Sequence, residues 1–282
     1  MHLMRNRAQF LVALIPATVW GVWNVGLQAN RWLLTHPDML PAQNDARFLG
    51  ANLASHHNPD VWTDNLLYGS VYFFSILLAA MLGAGFVEGI RSLRSGRKFR
   101  GDFALTSLLF ALLLPPTLPL PWVTLGMGVG ASIAYLIALD DDRLMLHPAA
   151  LAWLFLLFVI PEKMSGDTVW TVADGFVGAT PLALVREGGI ATLNAAGITW
   201  WDLFIGRVQG ATGEVPVAAL LVGAVYLLVT RKISWRLIVG VIAGLVSASF
   251  LFNLAGSSSN PMNGVPWYWH AVLGSLVLGC VF

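Results

Sequence analysis

The sequence predicts an all-α, polytopic integral membrane helix bundle with broken or short helices and an outward-facing polar loop. Three observations predict it. Hydrophobic residues fill 57% of the 282 positions and charged residues only 11%, where a soluble domain carries about a quarter. The mean hydropathy is +0.70, which belongs to a chain that lives in lipid. About eight apolar stretches approach the roughly 20 residues that a spanning helix needs.

The stretches run 10–29, 66–90, 103–114, 122–139, 148–160, 216–229, 237–254 and 267–282, within one transmembrane domain covering 1–282. The first follows Arg5 and Arg7 and reads as a retained helix. Trp20, Trp23 and Asn24 stand where a cleavable leader would have small residues. Several stretches are short, which calls for tilted or broken helices. Residues 115–121, Pro-Pro-Thr-Leu-Pro-Leu-Pro, must break any helix. They form either a turn at the membrane surface or non-helical backbone lining a site, the latter tolerated only under protein cover or beside water. The last stretch stops at Phe282 in mid-hydrophobic sequence, so a truncated chain is expected.

Positive charge sets the orientation. Arg91, Arg94, Arg97, Lys98 and Arg100 share one short loop, and Arg231, Lys232 and Arg236 share another. Both are expected on the cytoplasmic side. Counting spans from a cytoplasmic N-terminus brings the two loops to the same side. It also puts residues 30–65, with Asp38, Asp45, Asp60 and Asp64, outside together with the loop 162–213. The 12 tryptophans suit interfacial anchoring in membrane lipid. A net charge of +1 gives no reason to expect nucleic acid. A lone cysteine, Cys280, excludes an internal disulfide and a cysteine-ligated iron–sulfur cluster within the chain. No His or Cys pair has metal-ligand spacing, and no glycine-rich loop suits a dinucleotide.

Within the outward loop, Asp174-Gly175-Phe176-Val177-Gly178-Ala179-Thr180-Pro181 is the segment with the most chemical information. A phosphoester from a flavin nucleotide to a side-chain hydroxyl needs only a reachable threonine, and it leaves the isoalloxazine free for redox work. Gly175, Gly178 and Ala179 keep the backbone open around Thr180. Pro181 biases Thr180 towards extended backbone. Asp174 is a candidate recognition or metal-binding acid for a modifying enzyme. Taken alone, Gly-Ala-Thr-Pro also reads as an ordinary turn.

The flanks narrow the choice. Residues 16–26, 106–111, 115–120, 165–175, 178–180, 210–214 and 266–270 together resemble the B-type subunit of the sodium-translocating NADH:quinone oxidoreductases. More distantly, they resemble the D-type subunit of Rnf complexes. The resemblance implies FMN held covalently by Thr180, placed by a dedicated flavin transferase. It implies one subunit of a six-subunit complex in the bacterial cytoplasmic (inner) membrane, passing electrons from NADH towards ubiquinone with sodium export. It also implies a second, non-covalent flavin, riboflavin, near residues 144–147. There Leu144 has no hydrogen-bonding group and His147 does. Val177 stands where the family has Ser or Thr, and family members continue beyond Phe282. These departures motivate two alternatives: an Rnf electron-transport subunit of the D type, or a degenerate membrane paralogue without redox function.

Three acids complete the candidates. Glu88, in Gly83-Ala84-Gly85-Phe86-Val87-Glu88, is a carboxyl at membrane depth and a functional candidate on that ground. The resemblance places Gly85 and Glu88 near the quinone, while Arg91 three residues on offers a simple helix-face ion pair. Glu214 is expected to open a helix, either as a dipole-stabilising acid or in cation passage or subunit contact. Asp202, like His270, is expected at the membrane interface.

Overall fold

The computed structural model describes residues 7–36, 38, 47, 50, 56–96, 102–138, 146–255, 261–273 and 278. Arg5, Asp45, Arg97, Lys98, Arg100, Asp140, Asp141, Asp142, Arg143, Leu144, Cys280 and Phe282 lie outside the described residues. All regular structure among the described residues is helical. The order is α1 Arg7–Thr35, α2 Trp62–Ser95, α3 Asp102–Leu113, α4 Leu120–Ala138 and α5 Pro148–Val159. Then come four short helices, α6 Pro161–Ser165, α7 Pro181–Gly188, α8 Ile190–Ala195 and α9 Trp200–Ile205. Helices α10 Val217–Val229 and α11 Trp235–Ala255 follow, then a 3-10 turn Pro261–Gly264 and α12 Trp267–His270.

Seven of the expected spans recur as α1 to α5, α10 and α11, with ends displaced by a few residues. Of the eighth, the described helix is Trp267–His270. Helices α1, α2, α4 and α11 are long and apolar enough to cross a membrane. Helices α3, α5 and α10 have 12, 12 and 13 residues, about 18–20 Å of axis against a roughly 30 Å hydrocarbon core. Helix α3 stops because Pro115 and Pro116 follow, and α2 stops at Gly96, whose φ is +62°.

Glycine lets the first two helices touch. A Cβ on Gly26 would lie 1.9 Å from the Asn65 carbonyl oxygen, and one on Gly69 would lie 1.9 Å from that of Val22. The pairs 26/65 and 22/69 run in opposite senses, so α1 and α2 are antiparallel. Helices α2 and α4 run parallel: Thr124 donates to the Ala79 carbonyl at 3.1 Å, and further along Tyr135 meets Glu88. Helix α5 returns antiparallel to α4, with Gly126 against Leu156 and Gly130 against Ala152. Leu14, Phe110, Leu112, Met127, Leu156 and Leu220 are fully buried in the core that these helices share with α10. Close backbone approach through small residues is how helices gain contact when lipid supplies no hydrophobic drive.

The alternation gives the bundle two ends. Arg91 and Arg94 at the close of α2, and Arg231, Lys232 and Arg236 between α10 and α11, occupy one end. The close of α1, the start of α2, the proline turn after α3 and residues 160–216 occupy the other. There α7 to α9 fold onto the Pro261–Gly264 turn and α12 around a second core of Val185, Leu193, Leu203, Val265 and Trp269. The segment before α10 reaches inward from that end. The Asn24 side chain donates to the Val208 carbonyl at 2.8 Å, and Gly213 N–H donates to the Leu112 carbonyl at 2.8 Å.

Candidate functional site

Thr180 sits where an irregular loop becomes α7. Its backbone is extended (φ −67°, ψ 156°), as the following proline demands, and Pro181 takes the first helical position. Its Oγ1 accepts from Ala183 N–H at 3.3 Å, which makes Thr180 the N-cap. The residue is half-buried, and the helix orients its oxygen. The N-terminus of α7 carries partial positive charge from its free N–H groups and favours a phosphate there.

The loop before it is held at three places by the bundle. Trp32, near the end of α1, donates from Nε1 to the Asp174 carbonyl at 3.3 Å and meets the Phe176 ring edge-on at 5.2 Å. Tyr68 of α2 donates to the Val172 carbonyl at 2.7 Å. Thr117 of the proline turn donates to the Val169 carbonyl at 2.8 Å. Inside the loop, Gly178 N–H donates to the Asp167 carbonyl at 2.9 Å.

The two glycines have distinct jobs. Gly175 has φ +72°, a conformation that strains residues with a Cβ. A Cβ on Gly178 would sit 2.5 Å from the Phe176 ring, so its bareness lets Phe176 fold back against Trp32. They shape the loop rather than merely leaving it open. Asp174 is bonded through its backbone carbonyl to Trp32. Val177 is 66% exposed.

The remaining candidates lie apart from Thr180. Glu88 stands 20 residues beyond Tyr68 on α2, about 30 Å along the axis. It is 1% exposed; Arg91 Nη2 and Nε donate to it at 2.7 and 3.1 Å and Tyr135 Oη at 2.5 Å, while the Arg91 guanidinium lies 5.2 Å from the Tyr135 ring centroid. The helix-face pair with Arg91 is therefore present, and a tyrosine from α4 completes it. At Gly85, one turn earlier, an added Cβ would meet the Phe103 ring at ordinary contact distance.

His147 caps α5: Ala149 N–H donates to Nδ1 at 3.3 Å, which requires an unprotonated Nδ1. Desolvation lowers its pKa and favours that neutral ring. Glu214 does not open a helix. It lies in a turn, its N–H donating to the Ala211 carbonyl at 3.0 Å, and α10 starts at Val217 after Pro216 with no side-chain cap. Proline in the cap position, and the tight turn that Gly213 makes against Leu112, displace the helix start past the acid. Asp202 forms a capping box with Thr199 at the start of α9. Trp32, Tyr68, Thr117 and Tyr135 are contributors that sequence reading did not single out. The aromatics look like interfacial residues in a linear sequence, and their partners lie 47 to 144 positions away, as Tyr135–Glu88 and Trp32–Phe176 show.

Comparison with known proteins places the chain among relatives. A family model described as the NQR2, RnfD, RnfE family matches residues 1–282. The chain is 40% identical over 267 residues to the B subunit of the Na(+)-translocating NADH-quinone reductase of Stutzerimonas stutzeri (strain A1501), covering 95% of this chain and 66% of that relative. The same identity and coverage hold for the B subunit of the same reductase from Pseudomonas aeruginosa (strain LESB58). That of Chromohalobacter salexigens is 40% identical over 268 residues, with 95% and 64% covered. The chain thus spans somewhat under two-thirds of the length of these relatives. A family match over every residue, on an all-helical bundle with apolar spans, is decisive for kinship: the chain belongs to the NQR2, RnfD, RnfE family.

Proposed function

We propose that the chain is the flavin-bearing membrane subunit of a sodium-translocating NADH:quinone reductase, and that Thr180 carries FMN through a phosphoester at Oγ1. The observation that carries the proposal is the setting of Thr180: a half-buried hydroxyl, held at the N-cap of α7 on a loop pinned to α1, α2 and the proline turn. The relatives' name supplies the reaction class.

The residues present fit the group. Oγ1 is the atom that would be esterified, and the α7 N-terminus would face the phosphate. Bound there, a flavin supplies one-electron chemistry, and the protein sets its position and electrostatics. Trp32 and Phe176 keep the loop closed against the bundle. Gly175 and Gly178 allow the turn that presents Thr180. Exposed Val177 stands where the family has Ser or Thr, which weakens recognition by a flavin transferase without removing the acceptor.

The proposal extends to the assembly. The chain works within a six-subunit complex in the bacterial inner membrane, with the arginine end cytoplasmic and the Thr180 end outside. Electrons pass towards ubiquinone, whose site is at Gly85 and Glu88. Glu214 lines the ion route, and His147 is the residue that a second flavin, riboflavin, would meet.

The test is expression of the chain with a flavin transferase, followed by denaturing electrophoresis. A fluorescent band in the wild type that is lost in Thr180→Ala supports the assignment. A dark wild-type band beside a labelled control substrate refutes it.

A further inference from the structure

Arg47 is 5% exposed, yet it is a full charge in an apolar bundle. Its Nη1 donates to the Pro116 carbonyl at 3.1 Å and its Nη2 to the Leu118 carbonyl at 3.4 Å. Its guanidinium carbon lies 4.8 Å from the centroid of the Tyr72 ring of α2. The two carbonyls flank Thr117, and Thr117 donates to the Val169 carbonyl at 2.8 Å in the loop that leads to Thr180. Four prolines in residues 115–121 remove backbone donors, so carbonyls of this turn need donors from elsewhere. A planar guanidinium can reach two carbonyls at once while stacking on an aromatic face, which a lysine ammonium cannot.

From this geometry we infer that Arg47 is a positioning residue for the Thr180 loop. Its fork holds the carbonyls on either side of Thr117, which aims the Thr117 hydroxyl at Val169 and fixes the loop for modification. The role of the loop rests on the flavin reading above; the mechanical link from Arg47 to the loop does not. Arg47 thus joins α2 to the proline turn, and the turn reaches the 166–180 loop through Thr117, while Tyr68 of α2 holds the same loop at Val172.

The test uses the full chain in membranes with Arg47→Lys, Thr117→Val, the double variant, and Thr230→Val as a control that removes a hydroxyl contact at the arginine end. One readout is the rate of flavin incorporation per inserted chain with the transferase present. The other is hydrogen exchange of residues 166–180 without it. Arg47→Lys and Thr117→Val are each expected to slow incorporation roughly five-fold or more, as loss of one to two buried hydrogen bonds would. Each should also speed loop exchange, with the double variant no worse than the stronger single and Thr230→Val like wild type. General destabilisation would instead give additive losses and would move exchange outside the loop. Wild-type incorporation and wild-type loop exchange in Arg47→Lys overturn the inference, and so do additive effects. A dark wild-type chain with altered loop exchange in the variants removes the flavin reading and leaves the tether standing.

Discussion

At the scale of single residues, Glu88 shows how far burial changes an acid's meaning. A carboxyl with 1% exposure, two contacts to Arg91 and one to Tyr135 is a satisfied group. Removing the cation from a buried carboxylate costs about 3 kcal/mol or more, whereas losing one hydroxyl donor costs about 1 kcal/mol. Thermal unfolding in detergent should therefore fall much further in Arg91→Ala than in Tyr135→Phe. Equal shifts would show that the carboxyl does not depend on the arginine. The pairing was legible from the three-residue spacing of Glu88 and Arg91. Tyr135 was not, because it arrives from α4 at a register that local pattern does not encode. Gly178 presents the same limit. Its value lies in the 2.5 Å approach of the Phe176 ring, and Gly178→Ala should push that ring off Trp32 and raise proteolysis of residues 166–180.

At the scale of elements, the sequence spoke most clearly where a breaker met an apolar run. The proline run ended α3, a boundary that follows from the missing N–H and fixed φ of proline. The short helices α6 to α9 read as one loop in the sequence, because helices of five to eight residues carry too few turns for a periodic signal. Glu214 failed for a related reason, since Gly213 is committed to Leu112 and postpones the start of α10. At the start of α9, burial pushes the Asp202 carboxyl up, but Thr199's side-chain and backbone donors, with Arg207 and Arg31, outweigh it and hold it below the usual carboxylate range. A depressed pKa contributes stability above the unfolded value, near pH 4, that is lost as pH falls through the folded value. Amide exchange across residues 200–205 should therefore accelerate, relative to the intrinsic rate, below about pH 4. The Thr199→Ala chain should show faster exchange already at neutral pH, with about 1 kcal/mol of cap lost.

At the scale of the whole molecule, composition and hydropathy were enough for the class, because lipid leaves helices as the natural way to satisfy a backbone in an apolar chain of this kind. The packing partners needed the structure. Gly26 and Gly69 matter as a pair in an antiparallel crossing, and either glycine alone reads as an ordinary small residue. Gly26→Leu should prevent the α1–α2 contact and yield a chain that inserts but does not survive detergent extraction as a folded species, while Gly240→Leu on exposed α11, where nothing lies within 4 Å, should be extracted normally. Charge asymmetry sets the expected sidedness. In a Cys280→Ser background, a cysteine placed at Arg231 should resist a membrane-impermeant thiol reagent applied to intact cells, and one at Leu182 should react. The reverse pattern would invert the topology.

The central claim concerns one oxygen atom, and peptide mapping tests it most directly. The chain is purified after co-expression with a flavin transferase, digested, and the fragment containing residues 174–186 is sequenced by mass spectrometry. The account predicts an added mass equal to esterified FMN, located on Thr180, absent in Thr180→Ala and retained in Thr180→Ser. An unmodified Thr180 in a preparation whose transferase labels a control substrate, or FMN on any other residue, would contradict it.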